Sequence, residues 1–334
     1  MPVVKYIARS ATSQPSRSTW LFTKNTLFLQ SGTVQKASMA SLSTQKSAWN
    51  NEEDKANINP IAAIAQLRST ADKFKNLVDV ATCARFAKAK GASMLFLPEC
   101  FGFMGESSSQ TLDEAEHPTR LSMGPSASTA SRLAIGIKAE SSVEINSNEL
   151  REEELELTRI LKSIVHNTGH DYGDTDDHNQ DTTIPDGKSP AVSSLMDGLR
   201  TIAKESGLWI SGGGIHVAGA PPEVDNSTHR VYNTHVILDS SGNLKAQYQK
   251  IHLFDVSIPG KVELRESKTT APGTELIACD SPVGRLGVTI CYDLRFPEMY
   301  TELTQTMGAQ ILLVPSAFTV PTGAAHWHAL LRGE

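Results

Sequence analysis

The apolar positions of this chain follow two alternating periods. Ile61-Ala62-Ala63-Ile64-Ala65-Gln66-Leu67 is a short apolar run of strand length, and Ala71 to Lys90 then carries Phe74, Leu77, Val78, Ala81 and Phe86 at roughly helical spacing. Ser93-Met94-Leu95-Phe96-Leu97 is a second strand. After residue 190 the alternation resumes, with a helix over Ser193 to Ser206 and strands over Leu208 to His216, Val231 to Leu238 and Leu244 to Leu253. A further apolar run, Leu286 to Ile290, leads into a helix over Pro297 to Thr306. Strands alternating with helices predict an α/β fold. No internal repeat interrupts the pattern.

Three strand ends carry chemistry. The 286–290 run meets Cys291 and then turns charged, in Tyr292-Asp293-Leu294-Arg295-Phe296-Pro297-Glu298; the 93–97 run ends in Pro98-Glu99; and the third strand carries Lys250. In open α/β sheets the active crevice forms beyond the carboxyl ends of strands, so a thiol, an acid and an amine are expected to converge there. A thiol is a weak nucleophile at its free pKa of roughly 8.5 and needs a neighbouring base or cation. Glu99 is the expected base, and Lys250 the group that lowers the thiol pKa and, with the backbone N–H after Cys291, holds a tetrahedral oxyanion. Taken singly, each has a plain alternative: Cys291 as a small core residue, Glu99 as a solvated loop acid, Lys250 as a surface lysine. His252 is a rival base, because period two puts it on the face of Lys250. Cys100, beside Glu99, reads as a packing residue.

These linked segments resemble the nitrilase superfamily of carbon–nitrogen hydrolases, in its Nit-type amidase branch. The resemblance implies a Glu-Lys-Cys triad at Glu99, Lys250 and Cys291, with Glu266 in Arg265-Glu266-Ser267 as a second glutamate orienting Lys250. It implies a four-layer α-β-β-α sandwich, homodimeric in the family manner, acting on a small-molecule amide with no metal or organic cofactor. Cys-Tyr-Asp rather than Cys-Trp-Glu argues for amides over nitriles. Arg295 is a natural fork for a substrate carboxylate, the alternative being an ion pair with Asp293 or Glu298. Tyr292, Phe318 and Thr319 complete the expected substrate contacts. Val314-Pro315-Ser316-Ala317-Phe318-Thr319 looks more like the deaminated glutathione amidases than the ω-amidases that act on α-ketoglutaramate, and N-carbamoyl amide hydrolysis is a third reading.

Two departures from the family pattern bear on this expectation. Glu99 and Leu199 are further apart than the family needs, which predicts a polar insertion at about 107–188, a surface excursion containing a charged helical candidate over Asn146 to His166. Its His166, Asp171, Asp174, Asp176, Asp177 and His178 match neither an EF-hand nor a zinc spacing. The resemblance also stops near Arg332, with His326-Trp327-His328 where the family has His-Trp-Glu. That predicts a sandwich incomplete at its C-terminal end, and opens a reading in which the chain is inactive and acts only by association.

Composition narrows partners and location. A net charge of −6 leaves no basic footprint for nucleic acid, and no run approaches the roughly eighteen apolar residues of a membrane span. The four cysteines, Cys83, Cys100, Cys279 and Cys291, show no CxxC spacing and read as reduced thiols. Residues 1–51 contain no acid but carry Lys5, Arg9, Arg17, Lys24, Lys36 and Lys46 among many Ser and Thr. That is the composition of a transit peptide, which predicts a mitochondrial address, with Met39 as an internal start for a cytoplasmic form; an unstructured tail is the other reading. The hydrolase domain is expected over 59–334.

Overall fold

The structure, a computed structural model, describes residues 3–5, 8–10, 26–30, 60–122, 147–166, 192–219, 230–258 and 262–332. In chain order the elements are β1 (Val3–Lys5), β2 (Ala8–Ser10), β3 (Thr26–Gln30), β4 (Ile61–Gln66), α1 (Lys73–Ala89), β5 (Ala92–Phe96), α2 (Ser108–Asp113), α3 (Thr119–Ser122), α4 (Ser147–His166) and α5 (Leu195–Ser206). There follow β6 (Trp209–Ala218), β7 (Val231–Leu238), β8 (Leu244–Gln249), β9 (Asp255–Ile258), β10 (Val262–Arg265), β11 (Ile277–Cys279), β12 (Leu286–Val288), α6 (Pro297–Thr301), β13 (Ile311–Leu313), β14 (Ser316–Phe318) and α7 (Val320–Arg332). Most of residues 1–51, read above as a targeting segment or tail, lies outside the described residues. Its three short strands pair with β14, β13 and β4 respectively.

Period two along the strands builds the layers. One sheet runs β3-β4-β5-β6-β7-β8, parallel as far as β6 and antiparallel after it. Ala63, Ala65, Leu95 and Leu97 point to one face and pack with α1, α4 and α5, while Ile64, Met94 and Phe96 point to the other and join the core with β12 and β13. The second sheet runs β11-β12-β13-β2, with β12 and β13 parallel. Behind it lies α6 with its continuation, whose Leu303 would stand 3.4 Å from a Cβ on Gly287; the tighter approaches there are to Leu312 Cδ2 (2.9 Å) and Ala309 Cβ (3.0 Å). The result is the expected α-β-β-α order of layers.

The stretch 107–188 differs from expectation in two places. Residues up to 122 belong to the fold proper. Glu116 forms a parallel bridge beside β6, its N–H donating to His216 O (2.8 Å) and its carbonyl accepting from Ala218 N (2.9 Å). Its carboxylate accepts from Ser194 Oγ (2.6 Å) and Leu195 N (2.9 Å), which satisfies free N–H groups at the start of α5. Nor is α4 a surface excursion. Leu157, Leu161 and Val165, spaced four apart, form one buried stripe against α1 and α5. The charged residues between them concealed that stripe. Of the six candidate metal ligands, His166 instead lies 3.0 Å from Glu205 Oε2, and the other five fall outside the described residues.

A buried polar chain ties the two sheets together. His235 on β7 is fully enclosed; its Nδ1 donates to Thr289 O (3.0 Å) and its Nε2 accepts from Ser211 Oγ (2.7 Å). Burial pushes this imidazole down to about 4, against the opposing pull of the Thr289 carbonyl, so it is neutral in the fold. An unfolded histidine titrates near 6.5, so the unfolded chain gains a proton first as pH falls, and this contribution is present above pH 6.5 and lost on the way to about 4. Urea melts of the chain and of His235→Asn between pH 7 and 4 should show their difference in unfolding free energy shrinking by about 3 kcal/mol. A pH-independent difference would refute it.

Candidate active site

Cys291 sits at the start of a 3-10 turn, Cys291–Arg295, and follows the last residue of β12, Val288, after Thr289 and Ile290. Its φ of 46° is left-handed, a conformation that non-glycine side chains adopt only under constraint. The constraint is local: Cys291 N–H donates to Pro315 O (2.8 Å), and Ile290 N–H donates to Asp293 Oδ2 (2.9 Å). Cys100, directly after Glu99, is the other described non-glycine residue with positive φ, at 55°.

Glu99, Lys250 and Glu266 meet around this turn. Lys250 is buried, its Nζ 2.9 and 3.1 Å from the two Glu266 oxygens and 3.5 Å from Glu99 Oε1. Glu99, also buried, accepts from Asn233 Nδ2 at Oε1 (3.0 Å) and from Ala317 N at Oε2 (2.8 Å). Glu266 opens a 3-10 turn after the β9–β10 hairpin, and its Oε2 also accepts from Phe254 N (2.7 Å). The Cys291 thiol lies within the influence of the Glu99 carboxylate and of the Ala317 N–H. Gly213 allows the crossing beneath, since a Cβ there would lie 2.4 Å from Leu97 O and 2.7 Å from Pro315 Cβ.

The electrostatics differ from expectation in one respect. Burial alone would lower the Lys250 ammonium, but Glu99, Cys291 and Glu266 together raise it, so it stays charged. Burial pushes the Cys291 thiol up, Glu99 adds to this, and Lys250 with the Ala317 N–H offsets only part. Lys250 therefore does not outweigh the burial of this thiol. His216 on β6 is pushed down to about 4 by burial, with Glu266 opposing and Lys250 reinforcing, so a neutral imidazole borders the site.

Asp293 joins two of the strand ends. Tyr248 OH (2.7 Å) and Ile290 N–H (2.9 Å) donate to its Oδ2, and His252 N–H (3.0 Å) and His252 Nδ1 (2.9 Å) to its Oδ1. Strand β8 stops at Gln249, one residue short of Lys250, so the period-two argument for His252 does not apply. Instead its ring stacks on Phe296, with centroids 3.5 Å apart. The rival base is thus turned to Asp293. With both Asp293 oxygens occupied, the exposed Arg295 guanidinium lies over the Tyr292 ring, 5.6 Å from its centroid. Phe318 packs edge-on against Trp327, and Thr319 Oγ1 accepts from Thr322 N (3.4 Å) near the start of α7.

Sequence reasoning missed Asn233, Tyr248, the anchoring role of Asp293 and the Ala317 N–H. Asn233 had a signal: it is a polar residue inside the apolar strand Val231 to Leu238. A backbone donor 218 positions from its acceptor has none.

Comparison with known proteins bears on the family of the chain. Residues 175–334 match the family model described as carbon–nitrogen hydrolase. The chain is 50% identical to a deaminated glutathione amidase of Dictyostelium discoideum over 141 residues, 42% of this chain and 47% of that protein. It is 32% identical to a deaminated glutathione amidase of Bos taurus over 276 residues, 82% of this chain and 61% of that protein. The crystal structure of the Caenorhabditis elegans NitFhit protein superposes with a TM-score of 0.51 at 31% identity, covering 81% of this chain and 47% of that one. The chain thus spans between about half and three-fifths of the length of these curated relatives. In its layered architecture and in these comparisons, the chain is similar to the carbon–nitrogen hydrolases, over residues 175–334 by the family model and over four-fifths of its length (82%) by the Bos taurus relative.

Proposed function

We propose that this protein is an amidase that hydrolyses the terminal carboxamide of deaminated glutathione, or of a related α-keto acid amide, and releases ammonia. The observation that carries this reading is the single cluster of Cys291, Glu99, Lys250 and Glu266; the names of the two amidase relatives supply the substrate. As Sγ of Cys291 attacks the amide carbon, the thiol proton passes to Glu99. The oxyanion is met by the Lys250 ammonium, whose charge Glu266 holds in place. Collapse expels ammonia, which takes its proton from Glu99 and leaves a thioester. Water, deprotonated by Glu99, then attacks the thioester carbon, and the departing Cys291 sulfur recovers a proton. Arg295, exposed beside Tyr292, offers its fork to a carboxylate elsewhere on the substrate.

The direct test is ammonia release by the full chain from deaminated glutathione and from α-ketoglutaramate. Release should favour the former, fall to background in Cys291→Ala, and drop roughly 100- to 10,000-fold in Glu99→Gln. Unchanged release in Cys291→Ala would sink the thioester route, and a preference for α-ketoglutaramate would move the assignment to the ω-amidases. Arg295→Ala should raise KM by about 10- to 100-fold with kcat little altered, the size of one charged hydrogen bond. A fall in kcat at constant KM would remove Arg295 from substrate binding.

A further inference from the structure

We infer that Asn233 is the positioning residue for the general base, holding Glu99 by its side-chain amide and the Lys250 segment by its carbonyl. The inference rests on the reading of Glu99 as base. Asn233 lies on β7, in register with His216 of β6 along the longest strand pairing among the described residues, and β8 pairs on its other side, so its backbone is held from both flanks. From there it reaches two members of the cluster: Nδ2 donates to Glu99 Oε1 (3.0 Å), and the main-chain oxygen accepts from Lys250 N (2.9 Å).

The other side-chain atom shows that packing alone does not account for this residue. Asn233 is 2% exposed, and its Oδ1 has no hydrogen-bond partner among the described residues. A buried carbonyl without a donor is destabilising, and such groups are rare away from functional sites. Rotating the amide does not relieve it, since the turned group would set Oδ1 against a carboxylate oxygen of Glu99. The oxygen rests instead against Gly214, where a Cβ would approach it to 2.9 Å and the Glu99 Cγ to 3.4 Å. A residue without a Cβ at 214 thus leaves room for both.

The donor set has a chemical consequence. Asn233 Nδ2, Ala317 N–H and the Lys250 ammonium all donate towards Glu99, as an ionised carboxylate requires. The cluster around it contains Lys250 from the end of β8, Glu266 from the turn after β10, the Cys291 and Cys100 thiols, and His216 from β6. Asn233 is the neutral member that donates without adding charge. It keeps one carboxylate oxygen occupied and leaves the thiol of Cys291 as the proton source.

The test uses the full chain and reads the base without needing turnover. Alkylation of Cys291 by iodoacetamide, followed by mass spectrometry of its peptide, is measured from pH 5 to 9 in the unaltered chain, in Asn233→Asp and in Asn233→Ala. Asn233→Asp keeps the shape but sets a second carboxylate beside Glu99, so the low-pH limb of the rate profile should move up by about one pH unit, and the rate on that limb should fall about tenfold. Asn233→Ala should slow alkylation in the same direction. A variant that melts cooperatively yet keeps the unaltered pH limb, whatever its rate, would overturn the inference, because lost packing lowers a rate without moving its pH limb. If the unaltered chain is alkylated as expected but releases no ammonia from either amide, the proposed substrate falls while the role of Asn233 stands.

Discussion

Everything at this site depends on burying one ammonium between two carboxylates. Lys250 is 2% exposed, and an isolated ammonium in that position would lose its proton rather than its hydration. Glu266 at 2.9 Å and Glu99 at 3.5 Å reverse this, so the charge is kept inside the protein. Such a cluster is a weak source of stability, because desolvation offsets most of the attraction, but it is unforgiving of a missing partner. The β9–β10 hairpin supplies one carboxylate and the end of β5 the other. The two carboxylates therefore come from segments remote in the chain.

Asp293 performs the matching task one layer away. It is fully buried, and its four donors belong to the segment around Lys250 and to the turn that carries Cys291. One carboxylate thereby sets the distance between amine and thiol. The left-handed conformation at Cys291 is held by the same turn and by Pro315 O, so the nucleophile is presented from a strained but over-determined backbone.

The thiol's environment shapes the chemistry. Burial and Glu99 both disfavour a resting thiolate, so on the proposed route the nucleophile forms only when a base accepts its proton. On that route the placement of Glu99 matters more than the charge on Lys250, in keeping with the two donors, Asn233 and Ala317, that hold its carboxylate.

The sequence by itself determined the local elements and the reactive residue types. The apolar runs 61–67 and 93–97 and the helical spacing of 71–90 reappear as β4, β5 and α1, because neighbouring residues decide which face of an element is apolar. Cys291 and Glu99 were legible because each follows an apolar run, and Lys250 because it lies in a strand-like segment. Tertiary structure alone decided what lies between them. The burial of α4 was hidden by its charged residues, and Glu116, within the supposed insertion, proved to seat α5, since both depend on partners remote in the chain. Asn233, Asp293 and the Ala317 N–H act through contacts across 134, 45 and 218 positions, respectively. No local pattern encodes such separations; only the packing of two sheets brings them within a hydrogen bond.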